Sequence, residues 1–409
     1  MRLIYSAFAS LVWLCLKLLS LSNKKLKEFT QGRTSASESS ELEDPIWVHC
    51  ASVGEFEQAR PVIELIKASH PEQDILLTFF SPSGFNHLSS YELVEHVCYA
   101  PFDTPAQVKA FLTTYKPKVL LLIKYEFWKN MLYFCSKNSI PVFSVSAIFR
   151  QNQRFFNWYG SLFKADLRRI THFFVQNESS RLLLNSIEIN KTTVTGDTRF
   201  DRVVAIAEKS MEVESIKKYC EHTHVIIAGS TWAQDEEALV NAYDQLDSDW
   251  KLIIAPHEVN AERIQEVLER FKHHSPACLS GAKDNELKRS RVLIIDSIGL
   301  LNRTYRHADL CYVGGAFGAG LHNSLEAAVW GKPLVHGTNY DKFQEATDLA
   351  QLGGSLPAKT IVDATKNLLI LAKDEALRTK MGSAAQHYVH RNKGASLKVF
   401  SILESEGIF

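Results

Sequence analysis

Short apolar runs alternate with amphipathic stretches along most of this 409-residue chain, and the alternation restricts the folds that it can adopt. A strand-like run followed by a helix-like stretch, repeated several times, is typical of parallel sheets whose strands are connected by helices. One series begins at Ile46, and a second begins near Val225 after a polar stretch. The sequence therefore predicts an α/β fold with two Rossmann-like domains that face each other across a cleft.

The predicted elements follow from this pattern. The predicted strands are 46–50, 75–80, 97–100, 119–123, 142–145, 172–175 and 193–194 in the first series and 225–228, 251–255, 292–295, 310–313 and 334–335 in the second. Predicted helices include 105–115, 127–136, 235–243, 261–271, 324–330 and 343–352. We expect an N-terminal hydrophobic anchor over residues 1–30, a linker over 31–45, and domains over 46–215 and 216–409. The last helix is expected to pack back on the N-terminal domain.

Charge and cysteine content exclude several classes of protein. The chain has 46 Lys and Arg and 46 Asp and Glu, whereas nucleic-acid-binding domains usually carry a basic excess. Its seven cysteines form no Cys-x-x-Cys pair and mostly lie in apolar runs, as free thiols do in a reducing compartment. Fifteen histidines are scattered without the spacing of metal ligands. We therefore expect a folded protein whose catalytic part lies in the cytoplasm and has no nucleic-acid partner.

The N-terminal segment has a different character. Residues 3–21 are largely apolar, are interrupted by Lys17, and are followed by Lys24, Lys25 and Lys27. A signal peptide would carry its positive charge before the apolar core, and here the charge follows it. Two alternatives remain for a membrane-attached protein: a short span with its basic flank in the cytoplasm, or a helix lying in the interface. A buried helix of the folded domain is the third alternative.

A small-residue turn follows the first predicted strand and places Glu55 on the first turn of a helix. In open α/β sheets, ligands bind at the carboxyl ends of the strands, where such turns lie. Glu55 is therefore a candidate for the chemistry. A second interpretation is that Ser52 caps the helix and Glu55 completes a capping box, and this stretch taken alone favours that interpretation.

The second half contains a glycine-rich loop, 314–320, between a predicted strand and a predicted helix. Glycines allow a backbone to approach a phosphate closely, and a helix N-terminus favours negative charge. The chain has no Walker loop and no Gly-x-Gly-x-x-Gly, so the loop indicates a nucleotide-sugar site rather than a dinucleotide or triphosphate site. The spacing of Asn323 and Glu326 also fits a capping box without a ligand. Further candidates at strand ends are 229–231, 256–258 and 296–299.

Taken in order, these motifs resemble the 3-deoxy-D-manno-octulosonic acid (Kdo) transferases of lipopolysaccharide synthesis. The matching segments are 51–55, 99–103, 126–130, 194–196, 228–231, 255–257, 314–326 and 331–333. The resemblance implies a GT-B glycosyltransferase fold, anchored at the inner (cytoplasmic) membrane with its catalytic domains on the cytoplasmic side. It also implies transfer from CMP-Kdo to a lipid A precursor, with inversion at the anomeric carbon and with no metal or other cofactor. The N-terminal domain would bind the acceptor and the C-terminal domain the CMP-sugar.

The resemblance also implies roles for individual residues. Glu55 would be the general base that removes the proton of the acceptor hydroxyl, and Glu126 and Arg199 would stabilise the transition state. The residues implied in binding the CMP moiety are Pro256, His257, Ile298, Gly299, Leu300, Gly315, Asn323, Ser324, Leu325 and Glu326.

The chain departs from the family pattern at several of these positions. The family usually has Arg where His257 stands, so a permanent charge is replaced by a titratable one. It has a second Glu where Lys124 stands, and usually has Lys in place of Arg199. Leu321 takes the place of a glycine. These differences affect donor and acceptor contacts but leave the base and the carboxylate of Glu326 in place.

Two rival functions remain at the level of sequence. One is another GT-B enzyme, such as a UDP-sugar transferase or a UDP-sugar epimerase; epimerases are soluble, so the apolar N-terminus counts against them. The other is a membrane-attached binding protein that has kept the fold without catalysis. Retention of the charged residues Glu55, Glu126 and Arg199 counts against that interpretation, because a decayed enzyme would lose them.

Overall fold

The computed structural model describes residues 2–33, 42–158, 160–318 and 320–409, and it divides the chain into two compact units. The first unit comprises the chain up to Arg202 together with Lys393–Phe409, and the second comprises Val203–Asn392. The predicted boundary at 215/216 differs from this division. The division falls inside one helix, Arg199–Lys209, so no loop between elements marks it in the sequence. Residues 34–41 of the predicted linker lie outside the described residues.

The first unit is built on a parallel sheet. Its strands are β1 Ile46–Cys50, β2 Ile75–Phe79, β3 His96–Tyr99, β4 Val119–Ile123, β5 Val142–Ala147, β6 His172–Val175 and β7 Thr192–Val194. Its helices are α1 Arg2–Leu19, α2 Lys24–Gln31, α3 Val53–Ser69, α4 Pro82–Leu88, α5 Pro105–Tyr115, α6 Lys129–Lys137, α7 Ser161–Leu167, α8 Glu178–Asn185, α9 Arg199–Lys209 (whose end belongs to the second unit) and, at the end of the chain, α19 Ala395–Ser405. Helices cover both faces of the sheet, which explains why its strands read as continuous apolar runs.

The strand order of this sheet is β3-β2-β1-β4-β5-β6-β7. The chain therefore moves in one direction from β1 to β3 and in the opposite direction from β4 to β7. Val48 of β1 pairs in register with Leu77 of β2, and Trp47 of β1 pairs with Leu120 of β4. The order thus reverses between β1 and β4, which is where parallel α/β sheets open a crevice at the carboxyl ends of their strands.

The second unit repeats this plan. Its strands are β8 His224–Thr231, β9 Trp250–Pro256, β10 Pro276–Cys278, β11 Val292–Ile294, β12 Leu310–Val313, β13 Leu334–His336 and β14 Ser355–Pro357. Its helices are α10 Glu214–Cys220, α11 Ala233–Tyr243, α12 Ala261–Arg270, α13 Asp284–Arg289, α14 Leu301–Thr304, α15 Leu325–Ala328, α16 Gln344–Gln351, α17 Ile361–Lys373 and α18 Glu375–Arg391. The order β10-β11-β9-β8-β12-β13-β14 reverses between β8 and β12.

The predicted strands are all present, with ends that differ by at most three residues. Two short strands were missed, β10 and β14, which form the two outer edges of the second sheet. Each has three residues and contains a proline, and an edge strand pairs on one side only, so neither shows an apolar run. The helix predicted over 324–330 is present only as the single turn α15.

The N-terminal helix α1 is long and apolar enough to cross a membrane by length and composition alone, which is weak evidence for a span. One side of it packs on the first unit. Ser6 donates a hydrogen bond to Asn130 Oδ1 at 2.8 Å, and the ring of Trp13 stacks on that of Phe102 with centroids 5.1 Å apart. The opposite side leaves large apolar residues exposed: Leu3, Ile4, Phe8, Leu11, Leu14, Leu18 and Leu19. The helix therefore joins the domain without being a core helix of it.

The last helix, α19, belongs to the first unit and packs on α3. Val399 and Leu403 are buried in the same apolar cluster as Ile63. The carboxylate of Asp201 accepts hydrogen bonds from the backbone N–H and the hydroxyl of Ser396, both at 2.7 Å, which satisfies donors at the start of α19. The end of the chain therefore completes the core of the first unit.

We predict that Leu403→Ala lowers the unfolding free energy of the first unit by about 2–5 kcal/mol, because it leaves a cavity at a fully buried site. Leu397→Ala on the same helix removes the same atoms from a side chain that is 58% exposed, and should change the free energy by no more than about 0.5 kcal/mol. Thermal unfolding of the two variants by calorimetry checks this. Equal effects would mean that α19 is not part of the core.

Candidate active site

Glu55 lies at the carboxyl end of β1, on the first turn of α3. Ser52 is the N-cap residue, but its side chain makes no capping hydrogen bond to the helix; its hydroxyl donates instead to the carboxylate Oε2 of Glu55. The other oxygen, Oε1, lies 3.9 Å from the ammonium of Lys124. The capping-box interpretation of this stretch is therefore wrong, since the carboxylate contacts side chains rather than the helix N-terminus.

The second carboxylate, Glu126, follows β4, the strand beside β1 where the order reverses. The indole Nε1 of Trp128 donates to its Oε2 at 3.0 Å. Burial raises the pKa of Glu126, and the charge of Glu55 raises it further, while the Trp128 hydrogen bond lowers it in part. Lys124, between the strand and Glu126, adopts a left-handed backbone with φ 61°, a conformation that non-glycine residues rarely take outside functional turns. The turn therefore presents a cation and a carboxyl group with a raised pKa beside Glu55.

Arg199 begins α9 and is held by an ion pair. Its Nε and Nη2 donate to Asp197 Oδ2 at 2.9 and 2.7 Å. Gln58, one turn after Glu55 on α3, donates to the other oxygen of Asp197 at 2.8 Å. Burial alone would raise the pKa of Asp197, but the charge and hydrogen bonds of Arg199 outweigh it, so the pKa lies below its usual value. Arg199 is thus tied to α3, the helix that carries Glu55, through a buried carboxylate.

A third strand is joined to the same region by hydroxyl groups. Ser146 of β5, with φ 54°, lies 2.9 Å from the hydroxyl of Thr198, which donates to the carbonyl of Gln58 at 2.7 Å. The backbone N–H of Thr198 donates to Ser146 Oγ at 3.3 Å. These bonds fix the segment before Arg199 against β5 and α3. Sequence reasoning missed the contact between Gln58 and Asp197, because these residues are 139 positions apart along the chain. It found Ser52 only as a helix cap.

In the second unit, the buried carboxylate of Asp235 organises the glycine-rich loop. It accepts hydrogen bonds from the N–H of Trp232 and of Gly315, both at 2.9 Å, and from the hydroxyl of Tyr312 at 2.8 Å. Burial raises the pKa of Asp235, although these three donors favour its ionised form. Asp235 therefore joins the ends of β8 and β12, where the order of the second sheet reverses. No local motif marks this role.

Part of the glycine-rich loop is hydrogen-bonded to itself. The N–H groups of Gly318 and Gly320 donate to the carbonyl of Gly315 at 3.0 and 3.1 Å. Gly315 has φ 93°, and a Cβ there would lie 2.4 Å from the carbonyl oxygen of Gly320, so only glycine fits. The helix that follows has four residues, too few for a strong dipole. The N–H groups of Gly315, Gly318 and Gly320 are therefore already hydrogen-bonded. Phosphate binding by this loop and helix end stays a prediction.

Three aromatic rings form a cluster beside the loop. His257 stacks between Trp232 and His322, with centroid distances of 4.9 and 4.3 Å. Trp232 Nε1 lies 3.3 Å from His322 Nε2 and donates to it. Burial, with the nearby His257, lowers the pKa of His322 to about 4, so it is a neutral acceptor at pH 7. A cavity of about 250 Å³ lies alongside, lined in part by Trp232 and Phe317.

The remaining predicted donor-site residues are spread along the same sheet edge. Pro256 ends β9, and residues Ile298, Gly299 and Leu300 follow β11, with the side chain of Ile298 78% exposed. The structure gives no side-chain contact between this turn and the aromatic cluster.

The Asn323–Glu326 stretch lies on the other side of the reversal, after β12. Asn323 accepts from the N–H of Leu325 at 3.2 Å and donates to Glu326 Oε1 at 3.0 Å, so the pair is not a reciprocal capping box. Ser324 and Leu325 are buried, and the hydroxyl of Ser324 has no hydrogen-bond partner.

Within the described ranges, no cluster of three or more His, Cys, Asp or Glu side chains could hold a metal ion.

Comparison with known proteins agrees with the motifs. A sequence model of the family described as 3-deoxy-D-manno-octulosonic-acid transferase (kdotransferase) matches residues 24–202. The 3-deoxy-D-manno-octulosonic acid transferase of Bordetella pertussis is 26% identical over 91% of this chain and 90% of its own length. That of Haemophilus influenzae is 24% identical over 88% and 86%. The resemblance inferred from the ordered motifs is confirmed by these matches.

Solved structures establish the fold. UDP-GlcNAc 2-epimerase from Neisseria meningitidis, bound to UDP-GlcNAc, superposes with a TM-score of 0.63 at 16% identity, covering 88% of this chain and all of that one. The MnaA–UDP structure from S. aureus gives 0.63 at 14% identity, covering 90% and 98%. At such identities the likeness concerns the fold alone. The predicted α/β fold of the GT-B kind, with two parallel-sheet domains, is confirmed.

The raised pKa of Glu126 has a consequence for stability. The folded chain binds the proton of the Glu126 carboxyl group more tightly than the unfolded chain does. Ionisation of Glu126 at neutral pH therefore opposes folding. We predict that Glu126→Gln raises the unfolding free energy at neutral pH, because the amide oxygen still accepts from Trp128 and carries no charge. The gain should vanish below the usual glutamate pKa of about 4.3.

Urea unfolding at both pH values checks this, with Glu72→Gln, an exposed position, as a control that should show no such gain. A Glu126→Gln variant less stable than wild type at neutral pH would mean that the fold stabilises the ionised carboxylate.

Proposed function

We propose that this chain, a homologue of the Kdo transferases, moves Kdo from CMP-Kdo to a hydroxyl of a lipid A precursor with inversion at the anomeric carbon. The observation that carries the proposal is the placement of Glu55 and Glu126 after the two strands between which the first sheet reverses. The names of the curated relatives support the transferred sugar. The CMP-linked donor and the lipid acceptor are implied by the resemblance.

In the proposed reaction, Glu55 accepts the proton of the acceptor hydroxyl while that oxygen attacks the anomeric carbon. The bond from this carbon to the phosphate oxygen breaks at the same time, and CMP leaves with the bonding electron pair. A positioned base typically accelerates such a step about 10²- to 10⁴-fold. Ser52 and Lys124 support this role, because they hold the carboxylate in place through side chains on either side of it.

Negative charge grows on the leaving phosphate in this reaction and must be stabilised. The resemblance gives this task to Arg199 and Glu126. Arg199 supports it through the Asp197 ion pair, which limits its side chain to a fixed position. Burial and the Glu55 charge raise the pKa of Glu126, so a larger fraction of this carboxyl is protonated at a given pH than of a free glutamate, and the protonated form can donate a hydrogen bond. No metal takes part in the proposed mechanism.

We propose that the second unit holds the CMP moiety through Pro256 and His257, the turn from Ile298 to Leu300, Gly315, and the residues Asn323 to Glu326. Trp232 is 38% exposed and stacked on His257, so it offers a flat surface next to these residues. The N–H groups of Gly315, Gly318 and Gly320 are already hydrogen-bonded, and His257 is the proposed contact to the phosphate. It takes the place of an arginine in the family pattern.

We also propose that the protein is attached to the inner membrane with its catalytic units on the cytoplasmic side. The exposed apolar side of α1, with basic residues after it, supports attachment. A helix that crosses the bilayer would have to leave its contacts with Asn130 and Phe102. We therefore favour a helix that lies in the interface and keeps these contacts, rather than a span.

Glu55→Gln tests the base. We expect this variant to fold and to bind CMP-Kdo as wild type does, because the amide keeps the shape of the side chain and still accepts from Ser52. Its rate of Kdo transfer should fall about 10²- to 10⁴-fold, measured by mass spectrometry of the lipid product.

Glu57→Gln is the matched control, since Glu57 lies on the same helix but pairs with Arg202 at 2.5 Å. It should keep most of the wild-type rate. Wild-type transfer by Glu55→Gln would show that Glu55 is not the base.

Nucleotide preference separates the proposal from the UDP-sugar alternatives. CMP at about one hundred times its Kd should stabilise the protein by about 2.7 kcal/mol, and UDP at the same concentration should give no comparable shift. Glu326→Gln should reduce the CMP effect, whereas Glu237→Gln, exposed on α11, should not. Thermal unfolding provides the measurement. Stabilisation by UDP in preference to CMP would favour a UDP-sugar transferase or epimerase.

A further inference from the structure

An open groove of about 340 Å³ lies in the first unit between α1, the residues that follow α2, and α5. Its size is within the range of small-ligand sites. Its walls are mainly apolar and aromatic, with Trp13 on one side, Phe111 and Ala110 on the other, and Tyr99 at the base. None of the described residues that line it is one to which a catalytic role is assigned above.

Among the described residues, two cations and no carboxylate line this groove. Lys17 comes from the end of α1 and Arg33 from the residues after α2. Neither forms an ion pair with a carboxylate within the described ranges. The guanidinium of Arg33 is fixed by a bond from Nη1 to the carbonyl of Phe29 at 2.7 Å and by the ring of Phe29, 3.8 Å away. Burial lowers the pKa of Arg33 to about 10, so it remains positively charged at neutral pH.

Three residues that line the groove also carry buried polar atoms that have no hydrogen-bond partner among the residues that the structure describes. They are Arg33 Nε, the hydroxyl of Tyr99 and Nε2 of Gln107. Tyr99 is only 7% exposed, so its hydroxyl has little access to water as a hydrogen-bond partner. Buried polar groups in folded proteins are nearly always paired. All three atoms can donate, so the ligand that suits this groove offers acceptor oxygens and negative charge.

The position of the groove identifies the source of such a ligand. Leu11, Leu14 and Leu18 are exposed on α1, the helix that forms one wall. A helix with this apolar side lies at the boundary between lipid tails and head groups. Lys17, on the same helix, then lies at the level of the phosphates.

We infer that this groove binds the phosphate head group of an anionic membrane phospholipid, with Lys17 and Arg33 neutralising its charge. The inference rests on the proposed membrane attachment and not on the proposed Kdo transfer. A larger cavity between α5 and α6, of about 510 Å³, is lined by Lys109, Lys116 and Lys137. None of the described residues that line this larger cavity carries a buried polar atom without a hydrogen-bond partner. The larger cavity therefore has the positive charge of the groove but not its unpaired donors.

Vesicle flotation with the full chain tests the inference. Wild type should bind vesicles of phosphatidylcholine through α1 and should bind more tightly when phosphatidylglycerol is included. Ala110→Phe fills the groove without changing the charge, and it should remove most of the increase caused by phosphatidylglycerol. Thr113→Phe adds a similar volume on the same helix but faces the other cavity, and should leave the increase unchanged.

A pair of double variants separates the groove from general charge attraction. Lys17→Gln with Arg33→Gln and Lys24→Gln with Lys25→Gln each remove two positive charges, but only the first pair lines the groove. The first should reduce phosphatidylglycerol-dependent binding at least about tenfold more than the second, since charge-assisted hydrogen bonds are lost as well as charge. Melting temperatures of all variants confirm folding, and Ala110→Phe keeps the test valid if removal of Arg33 disturbs its neighbours.

Several results would overturn the inference. They are a full phosphatidylglycerol effect in Ala110→Phe, equal losses in the two double variants, loss of the effect in Thr113→Phe alone, or no binding to either vesicle. A response only to vesicles that contain a phosphorylated lipid A precursor would assign the groove to the acceptor instead. Kdo transfer in detergent is measured separately, so loss of transfer with intact phosphatidylglycerol binding would count against the reaction and leave the groove assignment standing.

Discussion

The reversal of strand order in each sheet is the constraint on which the candidate site of each unit depends. Connections on the two sides of β1 and β4 run in opposite directions, so the turns after these strands diverge and leave room for a ligand. Glu55 and Glu126 occupy these two turns. The turns after β8 and β12, which carry Trp232 and Gly315, hold the same position in the second sheet. Chemistry and donor binding are thus assigned to equivalent places in two similar units.

Buried carboxylates then hold these turns in place. Asp197 fixes Arg199 beside α3, and Asp235 fixes Gly315 against the end of β8. A buried carboxylate without partners would be strongly destabilising, but each of these accepts several hydrogen bonds. The arrangement leaves the turns with little freedom to reorganise, which suits groups that must meet a transition state in a fixed geometry.

The sequence predicts the central strands well, because strands buried on both faces read as unbroken apolar runs. It does not predict β10 and β14, which are short edge strands, or the division between units, which falls inside α9. Glu55 could be found as a candidate from its strand–turn–helix setting. The sequence could not decide whether Glu55 belongs to a capping box, because the Ser-x-x-Glu spacing is the same for a capping box and for a catalytic carboxylate at the start of a helix. The answer depends on Lys124, which approaches from a different strand.

The same limit applies to the second unit. The glycine-rich loop is visible in the sequence, but the hydrogen bonds of Gly318 and Gly320 to Gly315, and of Gly315 to Asp235, are not. The cluster of Trp232, His257 and His322 joins residues from three separate strand ends. Such clusters become apparent only once the strand order is known, whereas the ordered set of short motifs carries the family resemblance without it.

Incubation of the wild-type protein with CMP-Kdo and a lipid A precursor, followed by mass spectrometry of the lipid, tests the proposed function most directly. The predicted result is a gain in acceptor mass of one or more whole Kdo residues, with one CMP released for each residue added. An unchanged acceptor in the presence of intact donor, together with turnover of a UDP-sugar by the same preparation, would contradict it.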